Sequence, residues 1–255
     1  MLKLDHLVKT FGGVVATDKL TLDFPERSLS AIIGPNGAGK TTLFNLITGH
    51  LVPDSGRILL AGEDIAGKKP TDIVHQGIGR AFQVASIFPT LTVEEALVGA
   101  ASAHYGLYDR MFQPFPPPRA RQRAEEMVEL LQMQSVAKRI CSNISHGDQK
   151  LLDVGLALAL EPRVLLLDEP TAGMGPEERW KMMNTVRRLW ETQNMTLIFI
   201  EHDIEIVFEV AQMIHVLKYG AVLASGEPEA IRGNPDVIEA YLGTEISDES
   251  GEVQA

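Results

Sequence analysis

The sequence predicts an α/β fold: a nucleotide-type core with an all-helical insertion in its middle. Three observations carry that prediction. Aliphatic runs of strand length recur at Leu29-Ser30-Ala31-Ile32-Ile33, Val164-Leu165-Leu166-Leu167 and Leu197-Ile198-Phe199-Ile200, and they are apolar throughout, as strands buried on both faces are. The opening segment instead alternates, as in Leu20-Thr21-Leu22-Asp23-Phe24, the pattern of antiparallel strands with one wet face. From about Leu91 to Leu160 the spacing of apolar residues turns helical.

Taken along the chain, the first chemistry-bearing element follows the strand Leu29–Ile33. Gly34-Pro35-Asn36-Gly37-Ala38-Gly39-Lys40-Thr41 completes the pattern G-x-x-x-x-G-K-[ST], and the stretch from Thr41 to His50 behind it reads as a helix with Leu43, Leu46 and Ile47 on one face. Glycines let such a loop curl so that several N–H groups face one anion, and the helix N-terminus adds its partial positive charge. Lys40 would reach the β- and γ-phosphates and Thr41 would offer its hydroxyl to Mg²⁺, so this loop predicts a bound nucleoside triphosphate. A hairpin-like stretch, Gly56 to Gly62, comes next.

Inside the helical region Thr92-Val93-Glu94-Glu95 has the form of a capping box, and Arg119 to Met133 places Ala120, Ala124, Met127, Val128 and Leu131 at helical spacing. Phe112-Gln113-Pro114-Phe115-Pro116-Pro117-Pro118 cannot be helix interior; an extended connector and a docking peptide are its two readings. Ile144-Ser145-His146-Gly147-Asp148-Gln149 opens a further helix with Ser145 as N-cap.

The return to strands brings acids and a histidine. Val164–Leu167 runs into Asp168 and Glu169; a carboxylate there, beside a phosphate loop, is placed to hold Mg²⁺, and Glu169 could polarise a water attacking the γ-phosphate. A helix from about Glu177 to Glu191 then leads to Leu197–Ile200, a strand–helix–strand order that implies a right-handed parallel crossover. That strand ends in Glu201-His202-Asp203, where His202 is either structural or a donor to the γ-phosphate or the water. Gln83, just ahead of the helical region, offers an amide to Mg²⁺.

Composition narrows the classes. The 255 residues suffice for one large core with a subdomain, and a net charge of −11 argues against a nucleic-acid partner. The single cysteine, Cys141, forms no internal disulfide and fits a reducing cytosolic compartment. The N-terminus lacks a signal pattern, and no apolar run approaches the ~20 residues that span a bilayer, so any membrane helices must come from another chain.

These pieces in this order resemble the ATP-binding subunit of ABC transporters, along nearly the whole chain. The resemblance implies a P-loop NTPase core of RecA type with an antiparallel β subdomain (about 1–90 and 161–243), an inserted helical subdomain (about 91–160), and an acidic flexible tail (244–255). It implies ATP and Mg²⁺ as cofactors, with nucleotide contacts from Phe11 (stacked on adenine, against the reading of a buried strand phenylalanine), Gly34, Pro35, Asn36, Gly37, Ala38, Gly39, Lys40, Thr41, Thr42 and Gln83. Metal contacts fall to Thr41, Gln83 and Asp168, and catalysis to Glu169 and His202. The signature segment contributes Ser145, His146, Gly147 and Asp148 to a second copy; the family's Leu-Ser-Gly-Gly-Gln is altered at His146 and Asp148, and the aspartate usual after Ala172-Gly173-Met174 is Gly175.

Phe11-Gly12-Gly13, Gly77 to Gln83, Thr171 to Met174 and Val237 to Gly243 look like the branched-chain amino-acid uptake group, which includes urea and short-chain amide systems. Such a subunit is expected at the cytoplasmic face of the inner membrane as a homodimer or paired with a paralogue. It would act on multi-span permease subunits, with residues 84–90 in the receiving groove, and indirectly on an external solute-binding protein. A soluble ABC-type ATPase outside transport and a non-catalytic ATP-binding switch are the rival readings.

Overall fold

The computed structural model describes residues 1–81, 88–106 and 116–240. Gln83, most of the proposed permease groove, residues 112–115 and the acidic tail therefore lie outside the described residues. The chain divides into two compact units, residues 1–73 with 196–255, and residues 74–195.

The first unit opens with β1 (Leu2–Phe11) and β2 (Val14–Phe24), then β3 (Leu29–Ile33), helix α1 (Lys40–Ile47), β4 (Ser55–Leu60) and β5 (Glu63–Asp64). Strands β2, β1, β4 and β5 form an antiparallel sheet in that order, as the alternating pattern predicts. The short helix α2 (Pro70–His75) lies at the boundary of the two units.

The second unit holds β6 (Ile78–Ala81), α3 (Val93–His104), α4 (Pro118–Leu130), α5 (His146–Leu158), β7 (Val164–Asp168) and α6 (Pro176–Thr192). Strands β6 and β7 pair in parallel, with Arg80 opposite Leu166. The capping box forms at α3: the Glu95 N–H donates to the Thr92 hydroxyl at 3.2 Å, and the Thr92 N–H donates to the Glu95 carboxylate at 2.8 Å. Pro117 is extended (φ −60°, ψ 140°) and Pro118 sits in the first turn of α4, so the described end of the proline segment is a connector that starts a helix. A Cβ on Gly155 would meet Leu131 Cδ1 at 2.4 Å, so glycine is what lets α5 approach the end of α4.

The chain then re-enters the first unit through β8 (Thr196–Ile200), α7 (Ile204–Val210), β9 (Met213–Lys218), β10 (Ala221–Gly226) and α8 (Pro228–Arg232). Strand β3 lies between β8 and β9, parallel to both, with Ile32 opposite Ile200 on one side and His215 on the other; β10 pairs antiparallel outside β9. All five residues of β3 are buried, as a parallel strand covered on both faces requires. Residues 235–240 are helical.

Candidate nucleotide site

The loop after β3 has the backbone that a phosphate cradle needs. Gly34, Gly37 and Gly39 take φ of 151°, 77° and 99°, conformations that L-residues with a side chain avoid. Two of these positions also lack room for a Cβ, which would fall 2.2 Å from the Leu217 carbonyl oxygen at Gly34 and 2.2 Å from that of Ala16 at Gly39. The loop is thus clamped between β2 and the β9–β10 hairpin. Tyr219 and Gly220 both have positive φ in its two-residue turn; the Gly220 N–H donates to Ala38 O at 3.1 Å, and the Asp18 N–H donates to Gly220 O at 2.9 Å.

Helix α1 starts at Lys40 with no side-chain cap and no acid in its first turn, which leaves its positive end uncompensated. The Lys40 side chain is buried and folds back over the loop, donating to Gly34 O at 2.6 Å and Pro35 O at 3.0 Å. An ammonium held by two neutral carbonyls exchanges them readily for phosphate oxygens, which bind it more strongly.

His202 belongs to the same unit. Because Ile32 and Ile200 are in register, Gly34 and His202 follow two residues beyond that pair on adjacent parallel strands, so the loop and the histidine leave the same end of the sheet. His202 is exposed, whereas Glu201 beside it is buried and accepts the His202 N–H at 3.3 Å. Phe11 closes β1 at the Gly12-Gly13 turn and is 45% exposed, with Lys9 Nζ 5.6 Å from its ring centroid. A core role for this ring is thereby removed.

In the second unit, Asp168 ends β7 and Glu169 follows with φ 50°, a left-handed backbone at a non-glycine residue. Backbone strain of this kind concentrates at functional positions. The buried Lys150 ammonium of α5 donates to the Glu169 carbonyl at 3.0 Å, and the Ala172 N–H donates to the same oxygen at 3.1 Å. The Asp168 carboxylate is ion-paired through Oδ2 with Arg80 at 2.6 Å. Asp168, its carboxylate 4% exposed at the end of β7, and the Thr41 hydroxyl are hard oxygen donors of the kind Mg²⁺ takes.

Ser145 caps α5 as expected, accepting the Asp148 N–H at 3.1 Å, and its own hydroxyl donates to Asp148 Oδ2 at 2.8 Å. His146 packs against the loop after Glu169: a Cβ on Gly173 would lie 3.4 Å from His146 Nε2. Ser145, Gly147 and Asp148 line a small open pocket of about 110 Å³ with Met174, Glu178 and Lys181.

The sequence reading missed Lys150 and Arg80. Each carried a signal, a cation next to or within an otherwise apolar run, which must find an anionic or carbonyl partner when the run is buried.

The sequence profile of the ABC transporter family matches residues 17–172, well over half of the chain. The chain belongs to the ABC transporter family. A second profile, that of the branched-chain amino acid ATP-binding cassette transporter, matches residues 221–246 of this cassette. Its curated relatives include the high-affinity branched-chain amino acid transport ATP-binding protein LivG of Salmonella typhimurium and BraF, of the same description, from Pseudomonas aeruginosa. Each is 36% identical over 95% of this chain and 98% of its own length. Among solved structures, a nucleotide-free ATP-binding cassette from an ABC transporter superposes with a TM-score of 0.82 at 31% identity, covering 94% of this chain and 98% of its own. The ADP conformation of an ABC cassette gives the same TM-score over 95% of this chain and 98% of its own, again at 31% identity. The fold is that of an ABC cassette, an α/β P-loop NTPase, and the cassette binds nucleotide.

Proposed function

We propose that this ABC cassette is the ATP-hydrolysing subunit of an importer for branched-chain amino acids and acts on separate permease subunits. One observation carries the reading: similarity to branched-chain amino acid transport ATP-binding proteins runs over 95% of the chain, including the loop closed by Lys40. No helix among the described residues is long and apolar enough to cross a membrane. As the partner of a permease the cassette would act peripherally, at the cytoplasmic face.

ATP enters against the Gly34–Thr42 loop. Its phosphates take over Lys40 from the Gly34 and Pro35 carbonyls and receive the loop N–H groups, while Phe11 offers its exposed face to the adenine. Mg²⁺ supplies charge neutralisation of the β- and γ-phosphates when bound, and Thr41, Asp168 and Gln83 would hold it. Glu169 accepts the proton of the attacking water, with its backbone held by Lys150, and His202 donates to the γ-phosphate. Ser145 to Asp148 serve the ATP of a second subunit, identical or paralogous, so that ATP closes the pair and hydrolysis opens it. An external solute-binding protein would deliver the amino acid to the permease.

The test is uptake of labelled leucine, isoleucine and valine by cells lacking this chain, complemented with wild type or Glu169→Gln. Wild type should restore uptake. Glu169→Gln should bind ATP as before yet lower turnover by about 10²–10⁴-fold, the range for loss of a general base, and restore no uptake. Uptake that is indifferent to the deletion overturns the transport reading; near wild-type turnover in Glu169→Gln removes Glu169 from its role.

A further inference from the structure

The proposed roles of the site residues leave Arg80 unused, although its guanidinium is only 8% exposed and makes a 2.6 Å ion pair with the carboxylate that would serve Mg²⁺. Arg80 lies on β6 opposite Leu166, so it stands beside the strand that ends in Asp168. The guanidinium Nη2 donates to Oδ2, one of the two carboxylate oxygens, and so restrains where that oxygen can point. Groups that orient a metal-serving carboxylate from outside the first coordination sphere set both its geometry and its basicity. A planar, buried guanidinium presents its N–H donors in a fixed geometry, which a flexible lysine ammonium does not.

We infer that Arg80 is a positioning residue for Mg²⁺-dependent nucleotide binding: it orients Asp168 in the absence of the metal and keeps it oriented when the metal is present. The inference rests on the proposed role of Asp168. Its consequence is a separation of two affinities. Nucleotide binding without metal depends on the P-loop and Lys40 and is independent of Arg80. The increment that Mg²⁺ adds depends on Arg80.

The experiment measures binding of a fluorescent ATP analogue to the full chain, in Mg²⁺ and in EDTA, for wild type, Arg80→Lys and Arg80→Met, with a Mg²⁺ titration of ATPase activity alongside. Arg80→Met should raise the half-saturating Mg²⁺ by about tenfold or more, the usual effect of removing such an outer partner, and leave affinity in EDTA unchanged. Arg80→Lys keeps the charge without the fork and should fall between, at about threefold. Should Arg80→Met fail to fold, the Lys variant alone decides, and a wild-type Mg²⁺ requirement there overturns the inference. Lowered thermal stability with unchanged Mg²⁺ half-saturation in either variant also overturns it and makes Arg80 a structural partner only. Wild type whose binding ignores Mg²⁺ altogether would instead remove the metal role of Asp168.

Discussion

Two alanine substitutions in the P-loop separate backbone conformation from packing. Gly37 and Gly39 both have positive φ, 77° and 99°, so alanine at either costs about 1–2 kcal/mol for a left-handed backbone. Their surroundings differ. Nothing lies within 4 Å of a Cβ at Gly37, whereas a Cβ at Gly39 would sit 2.2 Å from the Ala16 carbonyl oxygen, a backbone atom of β2 that no rotamer change can move aside. Overpacking of that kind adds about 1–3 kcal/mol, taking Gly39→Ala to about 2–5 kcal/mol against about 1–2 for Gly37→Ala. For a chain of this size each kcal/mol lowers Tm by about 2–4 °C, so calorimetry should show losses of about 10 °C and about 4 °C. Equal shifts in the two variants would refute the claim that β2 walls the loop; a smaller loss in Gly39→Ala would reverse it.

Burial holds the His215 imidazole neutral, lowering its pKa from 6.5 to about 4; the ring touches Phe24 edge-on at 5.1 Å and shares a hydrogen bond with the Ser225 hydroxyl at 2.9 Å. Its contribution is complete above pH 6.5 and is lost as the pH falls toward 4, because the unfolded chain binds the proton first; the loss reaches about 3 kcal/mol at 1.36 kcal/mol per pH unit. Urea titrations of wild type and His215→Gln across pH 7 to 4 should show a shallower acid slope in the variant, and parallel slopes would contradict this. Asp148→Gln frees the Ser145 hydroxyl and removes one negative charge from the signature. In a Glu169→Gln background it should tighten the ATP-dependent dimer about fivefold, or about 1 kcal/mol, by sedimentation, and an unchanged dimer constant would place Asp148 away from phosphate. Thr92→Ala should cost about 1 kcal/mol by breaking the α3 capping box, read as a lowered urea midpoint at unchanged slope.

Local chemistry made much of this legible. Strand β3 spans the five residues its aliphatic run indicates, Thr92 and Ser145 cap the helices they precede, and the glycines of the P-loop take the conformations their spacing demands. What escaped depends on partners distant in sequence. Nothing near Glu169 announces a left-handed backbone, because the carbonyl is held by Lys150 from another helix. Nothing near Gly39 announces that Ala16 will press on it, and nothing near His215 announces that its neighbours will enclose it. The 74–195 unit likewise combines helices with β6 and β7, a grouping set by packing and invisible to periodicity.

The placement of β3 has a consequence for how the protein comes into being. Leu29 stands beside Leu197, Ser30 beside Met213, and the loop that follows is propped by the turn at Gly220. On the ribosome the phosphate-binding segment is therefore made early and supported late: its strand has no parallel neighbour in this sheet until β8 and β9 emerge. Such long-range closure slows folding and leaves the aliphatic β3 exposed during synthesis. A pulse of ATP-analogue binding on stalled nascent chains should appear only once the β9–β10 hairpin has cleared the exit tunnel.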